Sequence, residues 1–502
     1  MQTDLFIDTH GKRKNLNLRF HREATKRYHV KDLDSLVADD FQILKSMITH
    51  HQNRQVPRLK ELYDYAKANN HTVLDGKRRK ESDMADNRAV HNFGAIVSTF
   101  KQGFLTGVPI KVEYEEPTGS ADEQSPNDIA LDKMAVENDF NDLNRDLIQD
   151  LSKVGRAYDI VYRNTKDQTR VRQLDPLETF VIYDMSLSQH SVAAVRYYNG
   201  NPHGEEQLLV VLYTDDHVIT YDASDGSYIE IDREPHSFGD VQITEYLNNK
   251  DGMGDYEAVL SLIDLYDAGQ SDTANYMTDL SDAILAIFGV IEQPEGMTKN
   301  EQLEYAKSMR QARMMFFKPP TDSDGKAAGD VDAKYLYKQY DVAGTEAYKD
   351  RIENAIHKFT NTPDLTDDNF AGNQSGEAMK YKMFGLEQEG DNTKSRFSKS
   401  LKRRYELIAT VGELASELMD FDINKLKITF TPNLPKSLSD MIKNFVDLNG
   451  EVSNETAMRI TNIVDDVPTE IEKLEKEDGK ETEFQRRLRE RERLTDSDLA
   501  GE

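Results

Sequence analysis

Between Leu262 and Ala283 the residues Leu262, Tyr266, Gly269, Thr273, Tyr276, Leu280 and Ala283 alternate four and three apart, the spacing of a helix that packs along one seam. The middle of that seam is nearly empty, and a mid-helix glycine costs about 1 kcal/mol against alanine. A second face carries Asp264, Asp267, Ser271, Asn275, Thr278 and Asp282, which are short and polar, three of them acidic. Small residues such as Ala268, Gly269, Thr273 and Ala274 let a neighbouring helix approach closely, because interaxial distance follows the contacting side chains. The pattern predicts a helix that packs closely through its seam and fronts water with its polar face. A helix on the rim of an ordinary monomeric core fits the same pattern.

The flanking sequence narrows the setting. Short β-branched and aromatic runs of period two (AYDIVYR, TFVIYD, AAVRYY, LLVVLYT, HVITYDA, SYIEI) fill Gly155 to Tyr246 and predict an antiparallel sheet. Before it come a polar helical region to about residue 85 and the charged run Gly76–Asp83, read as a solvated loop. Next are a helix with the stripe Phe93, Ile96, Val97, Phe100 and Phe104, and another with Leu131, Met134, Leu143, Leu147 and Leu151 inward. Asp139, Asp142 and Asp146 on that last helix lack the glycine-turned loop of an EF-hand and read as solvated. After the seam helix, strand-like and helical runs over 284–340 form a small α/β insert. A second amphipathic helix, Thr345–Phe359, closes it and stops before Pro363. The polar stretch DLTDDNFAGNQSG leads into a helical pattern reaching Met419, where Gly385 and Gly390 predict a kink.

Composition removes several function classes. At 502 residues the chain is long enough for two to four domains, given roughly 150 residues per domain. Zero cysteines exclude disulfides and thiolate metal sites. No apolar run reaches the length of a bilayer span, and Met1–Arg13 lacks the apolar core of a signal peptide. The motifs G-x-x-x-x-G-K-[ST], H-E-x-x-H and G-x-S-x-G do not occur, and Gly252-Met253-Gly254 lacks the third glycine of a dinucleotide loop. His50 and His51, being adjacent, point to different sides of a helix, and His91, His217 and His357 stand alone. The residues predict no catalytic set, no metal site and no cofactor. The net charge of −28 argues against tight binding to nucleic acid, whose affinity comes from Lys and Arg displacing counterions.

Several segments together resemble the portal proteins of tailed bacteriophages, of the type found in siphophages of Gram-positive hosts. They are NFGAIVSTFKQGFLTGVPI, VRYYNG followed by LYTDDHVITYD, LIDLYDAGQSDTANYMTDLSDA, ITFTPNLP, and SNETAMRITNIVDDVPTEIEKLEKE. They cover most of the chain in the family's order. The resemblance implies an α+β, portal-type subunit that assembles into a ring of twelve. Its parts would be a wing at 1–250, stem helices at 253–283 and 341–362, a clip at 284–340, a tunnel loop at 363–378, a long kinked helix at 379–420 and a crown at 421–502. It further implies a channel at one capsid vertex through which double-stranded DNA is packaged and later ejected. The partners implied are the large terminase, a head-completion or adaptor protein, and the major capsid and scaffolding proteins, with no membrane. Assembly would take place in the bacterial cytoplasm and the product would reside in the virion. A connector or collar ring that DNA merely passes is the competing expectation.

On that footing Leu262, Tyr266, Gly269, Thr273, Tyr276 and Leu280 are expected to pack the stem, and Asp322, Asp324 and Lys326 to form the clip tip. The tunnel loop would present Asp364, Asp367, Asp368, Asn369, Phe370, Gly372, Asn373 and Gln374 to the channel. Neutral donors there offer phosphate contacts without strong retention. Lys380 and Lys382, with Lys394, Lys399, Lys402, Arg403 and Arg404, are the basic residues placed to meet DNA, or else to pair with Glu387, Glu389 or Glu406 on a solvated helix. A ring of twelve would multiply the net charge of −28 to roughly −340, a field that keeps a polyanion from sticking.

Overall fold

A computed structural model describes residues 19–75, 85–115, 125–279, 341–364 and 376–433, with shorter stretches within 3–17, 284–336 and 445–474. The amino-terminal region, expected to be helical, also contributes strands. β1 (Thr3–Ile7) and β2 (Arg13–Asn17) form an antiparallel pair, and β3 (Tyr28–His29) joins a larger sheet. Helix α1 (Leu33–His50) starts at Asp32, whose side chain accepts from the Ser35 N–H at 2.8 Å. A π-helical turn, His51–Gln55, passes the chain into α2 (Val56–Tyr65), followed by the single turn α3 (His71–Leu74). Then come α4 (Phe93–Thr106), capped by Asn92, β4 (Lys111–Tyr114), α5 (Pro126–Glu137), capped by Ser125 with proline in its first turn, and α6 (Phe140–Val154).

The period-two region folds into two sheets where one was expected. β5 (Arg156–Arg163), β6 (Thr169–Leu174) and β12 (Ile243–Leu247) make a three-stranded antiparallel sheet in the order β12-β5-β6. β7 (Thr179–Tyr183), β8 (Ser191–Asn199), β9 (Leu208–Tyr213), β10 (His217–Asp222) and β11 (Ile229–Pro235) run antiparallel in sequence order. β3 adds to β7 in parallel at one edge. Successive side chains of a strand point to opposite faces, so the run Phe180-Val181-Ile182 needs cover on both. Phe180 and Ile182 pack with Leu36, Leu44 and Ile48 of α1, while Val181 packs with Tyr158 and Ile243 of the smaller sheet.

Helix α7 (Leu260–Asp279) leads into an insert whose strands pair antiparallel. β13 (Ile284–Phe288) lies against β16 (Asp332–Leu336), and β14 (Val290–Ile291) against β15 (Phe317–Lys318), with α8 (Lys299–Ala312) between. Helix α9 (Val342–Phe359) returns beside α7, begun by Asp341, which accepts from the Gly344 N–H. Ile352 and Ile356 of α9 and Leu260 and Ile263 of α7 share a core with Leu59, Leu62, Phe93 and Val97, which roots the helix pair on α2 and α4.

Helix α10 (Gly376–Leu414) would span about 58 Å at 1.5 Å per residue. Phe397, Leu401, Tyr405 and Ile408 bury it in the main core, with Phe397 against Tyr246 of β12 and Tyr405 edge-on to Phe140 of α6. The helix runs through Gly385 and Gly390 without a break, and both glycines serve close approach. A Cβ at Gly390 would lie 3.1 Å from Cε1 of Phe104, and one at Gly385 would lie 2.9 Å from Oδ1 of Asn361. Beyond it β17 (Leu426–Thr429) pairs antiparallel with β4, Leu426 opposite Tyr114 and Thr429 opposite Lys111, and α11 (Asn454–Thr461) follows. Among the described residues no helix is long and apolar enough to cross a membrane.

Gly155 ends α6 with φ +81°, and a Cβ there would sit 2.3 Å from the carbonyl oxygen of Gly252. Both left-handed strain and a backbone clash therefore oppose a side chain. Gly155→Ala is expected to lower stability by at least about 2 kcal/mol in urea unfolding. An unchanged midpoint would mean that the α6–β5 corner and the Gly252 turn are not packed as described.

Candidate functional site

The polar face of α7 faces protein, contrary to the expectation that it fronts water. Asp267, Ser271 and Asn275 are all buried. The extended segment 87–91 lies along them, and its backbone N–H groups meet the helix at every second residue. Asn87 N–H donates to Asn275 Oδ1 at 2.5 Å, Ala89 N–H to Ser271 Oγ at 2.9 Å, and His91 N–H to Asp267 Oδ1 at 2.9 Å. Asn275 Nδ2 returns a bond to the Asn87 carbonyl. Four residues of helix rise about 6 Å, and two residues of extended chain about 6.6 Å, so the two repeats stay in step over three rungs. Asp267 also holds the His91 ring at 2.8 Å and accepts from Asn70 Nδ2.

Around this ladder, buried and partly buried charges tie together segments distant in sequence. Arg19 reaches Glu61 and Asp264, each at 2.6 Å. Arg58 binds Glu257 through two nitrogens, at 2.7 and 2.5 Å, and donates to the carbonyls of Val154 and Gly252. Lys101 is 2% exposed and donates to Asn248 Oδ1 and Asp255 Oδ1, both at 2.8 Å, with Glu389 of α10 at 3.9 Å. Burial pushes the Glu389 carboxyl up to about 7, the charge of Asp255 adds to the rise, and Lys101 offsets part of it. The sequence carried one signal for this cluster: Phe93, Val97, Lys101 and Leu105 stand four apart, so the lysine sits in register on a buried face.

Of the stem residues, Leu262 and Tyr266 pack partly buried into the core shared with α9, and the Tyr266 hydroxyl donates to Glu353 Oε2 at 3.2 Å. Gly269 faces α9 of its own chain, where a Cβ would meet Cγ of Lys349 at an ordinary 3.7 Å. Thr273 and Tyr276 are half-buried, and Leu280 lies outside the described residues. Asp322, Asp324 and Lys326 occupy an exposed turn in the insert. Asp322 Oδ1 builds that turn by accepting from the N–H groups of Asp324 and Lys326.

Asp364 is half-buried beyond the end of α9, while Asp367, Asp368, Asn369, Phe370, Gly372, Asn373 and Gln374 lie outside the described residues. Lys380 and Lys382 fall in the first turns of α10, their side chains likewise outside the described set. Two basic residues of that helix are not available to DNA. Arg404 is fully buried, with Nε 2.6 Å from Asp159 Oδ2, and Arg403 is held by Asp240 at 2.6 Å and by the Val241 carbonyl. They read as surface cations because a helix of mixed charge gives no sign of which cations meet a buried acid on a distant strand.

The polar groups of the ladder and of the buried ion pairs join one segment of the chain to another, within a two-sheet body, a helix pair bracketing an insert, and a long helix packed on the body. The chain belongs to the phage portal proteins of the SPP1 Gp6-like family, whose profile matches residues 45–483. The portal protein of Bacillus phage SPP1 is 23% identical over 497 residues, which cover 93% of this chain and 92% of that one. The portal protein of Clostridium phage phiCD119 is 23% identical over 426 residues, covering 81% and 88%. Among solved structures, a chain from the neck of an empty GTA particle computed with C6 symmetry aligns with a TM-score of 0.43 and 13% identity, over 74% of this chain and 90% of that one. The family makes this chain a structural protein of the phage portal, and not an enzyme.

The ladder and the Glu389 joint can be tested separately. Ser271→Ala leaves the partly buried Ala89 N–H without its acceptor, at a cost of about 1 kcal/mol. The amides of Asn87, Ala89 and His91 should then exchange hydrogen faster than in the parent. Equal exchange would show that something other than α7 holds the segment. Folding draws a proton onto Glu389 between its ordinary value of 4.5 and about 7, so the joint loses stability as pH rises through that window. Glu389→Gln should flatten the dependence, gaining on the order of 1 kcal/mol over the parent by about pH 8. Parallel urea-midpoint profiles between pH 5 and 8 would show that Glu389 does not titrate there.

Proposed function

We propose that this subunit closes into a ring, of twelve copies on the family pattern, whose central channel passes double-stranded DNA during packaging and ejection. The observation that carries the reading is the portal-family match over residues 45–483. The order of elements supports it: α7 and α9 bracket the insert, and α10 follows the segment after Pro363. On this reading 1–250 form the wing, 253–283 and 341–362 the stem, 284–340 the clip, 363–378 the tunnel loop, 379–420 the long helix and 421–502 the crown.

A heterologous interface must close into a ring or run on as a filament, and a channel requires closure. Gly269 lies against α9 of its own chain, and the half-buried seam positions Thr273 and Tyr276 are the stem surface offered to a neighbouring subunit. The turn at Asp324 and Lys326 offers an exposed tip to a terminase or adaptor. Because Asp322 builds that turn, charge reversal at Asp324 and Lys326 is the cleaner probe of partner contact. The net charge of −28 per chain suits DNA that slides without sticking. Capsid and scaffolding contacts fall to the wing and crown by the same reading.

The test uses the full chain with residues 369–374 removed, assayed for ring formation by native mass spectrometry and for DNA packaged and retained in heads. Rings should form at the parental yield while packaging or retention falls at least about tenfold, since mutations in a part that moves or meets the substrate change function more than fold. Parental packaging and retention in a ring-forming variant would remove the loop from the channel constriction. An intact chain that stays monomeric or dimeric at micromolar concentration would overturn the ring.

A further inference from the structure

Glu353 and His357 stand one turn apart on α9 and so project from the same face. The helix ends two residues later at Phe359, and Asn361 takes a left-handed φ of 51° that turns the chain back on itself. This reversal brings Asp364 to that face. One donor atom from each of Glu353, His357 and Asp364 lies within 4.8 Å of the other two. Two ligands on a single cation at 2.1–2.4 Å are separated by at most about 4.2–4.8 Å, so the three groups fit one coordination sphere.

The surroundings prepare the set for a cation. Nδ1 of His357 lies 3.0 Å from the Thr362 carbonyl oxygen, which only accepts, so Nδ1 carries the proton and Nε2 keeps its lone pair. Ligating histidines are commonly oriented by a carbonyl in this way. The Tyr266 hydroxyl orients Glu353. All three residues are partly buried, which leaves room for water to complete the sphere. The site also lies at the carboxyl end of α9, where the helix dipole favours positive charge. One imidazole with two carboxylates suits a first-row divalent cation such as Zn²⁺ or Mn²⁺ over the all-oxygen preference of Mg²⁺ or Ca²⁺.

We propose that Glu353, His357 and Asp364 form a divalent-cation site that ties the chain leaving Pro363 to α9 and, through Tyr266, to α7. Binding fixes the direction in which that segment departs from the helix pair. Its consequence for a channel rests on the portal reading above, but the site itself does not.

The experiment is calorimetric titration of the purified full-length protein with ZnCl₂ and with MnCl₂ in a non-chelating buffer. One saturable site per chain is expected, and His357→Ala and the near-isosteric Asp364→Asn should each weaken it at least about tenfold. His203→Ala, in an exposed loop, should leave it unchanged. Electron paramagnetic resonance of Mn²⁺ should lose its bound-ion signal in the same two variants, with thermal melting of the metal-free proteins confirming that each is folded. No saturable binding, or binding that persists in both variants, overturns the site. Either result leaves ring formation and packaging to be judged on their own measurements.

Discussion

The match between two repeats, four residues of helix and two of extended chain, is the constraint on which the helix pair depends. Asp267, Ser271 and Asn275 read three alternate backbone amides of one extended segment. The partly buried segment 87–91 finds in them the acceptors for its amides. A polar helix face buried alone would carry the cost of unpaired polar groups. Each satisfies the other, so the segment and the polar face are fixed together. Helix α9 then packs on the α7 so fixed, and the insert is carried by both.

Buried ion pairs repeat this logic at larger sequence separations. Arg58 and Glu257 are 199 residues apart, and Arg404 and Asp159 are 245 apart. Pairs of this kind add little net stability over apolar packing, because desolvation offsets much of the attraction. Breaking one is costly, however, since the partner is left charged and buried. They favour one arrangement of helices on the sheets over nearby alternatives more than they deepen it. Because Arg58, Lys101 and Arg404 are each buried with an acid, Glu257, Asp255 and Asp159, these pairs take equal and opposite charge inside and leave the chain's net charge of −28 on its surface.

The seam of α7, the change of period at Gly155 and the bracketed insert were legible because each is a local pattern. The partner of a polar face is not local. Asp267, Ser271 and Asn275 spell a solvated stripe, and only the segment almost two hundred residues earlier turns it into an interface. The same holds for Arg403 and Arg404, whose acids lie on distant elements, and for Gly385 and Gly390, whose role is decided by Asn361 and Phe104. His357 stood alone in the sequence because its neighbours Glu353 and Asp364 meet it only after the chain reverses at Asn361. Lys101, in register on an apolar face, was the readable exception.

The pairing of β4 with β17 sets a schedule for synthesis. The Tyr114 hydroxyl accepts from the Asp422 N–H, 308 residues further on, and Leu426 lies opposite Tyr114 in the ladder. At translation rates of about 5–20 residues per second, β4 waits roughly 15–60 s on the ribosome for its partner. For most of that interval Tyr246 of β12 and Phe140 of α6 await α10. An element order of this kind, with long closures late, makes folding slow and exposes core surface while it lasts. A newly made subunit therefore passes through an aggregation-prone stage before it has the body that assembly requires, and joining other copies belongs after release from the ribosome.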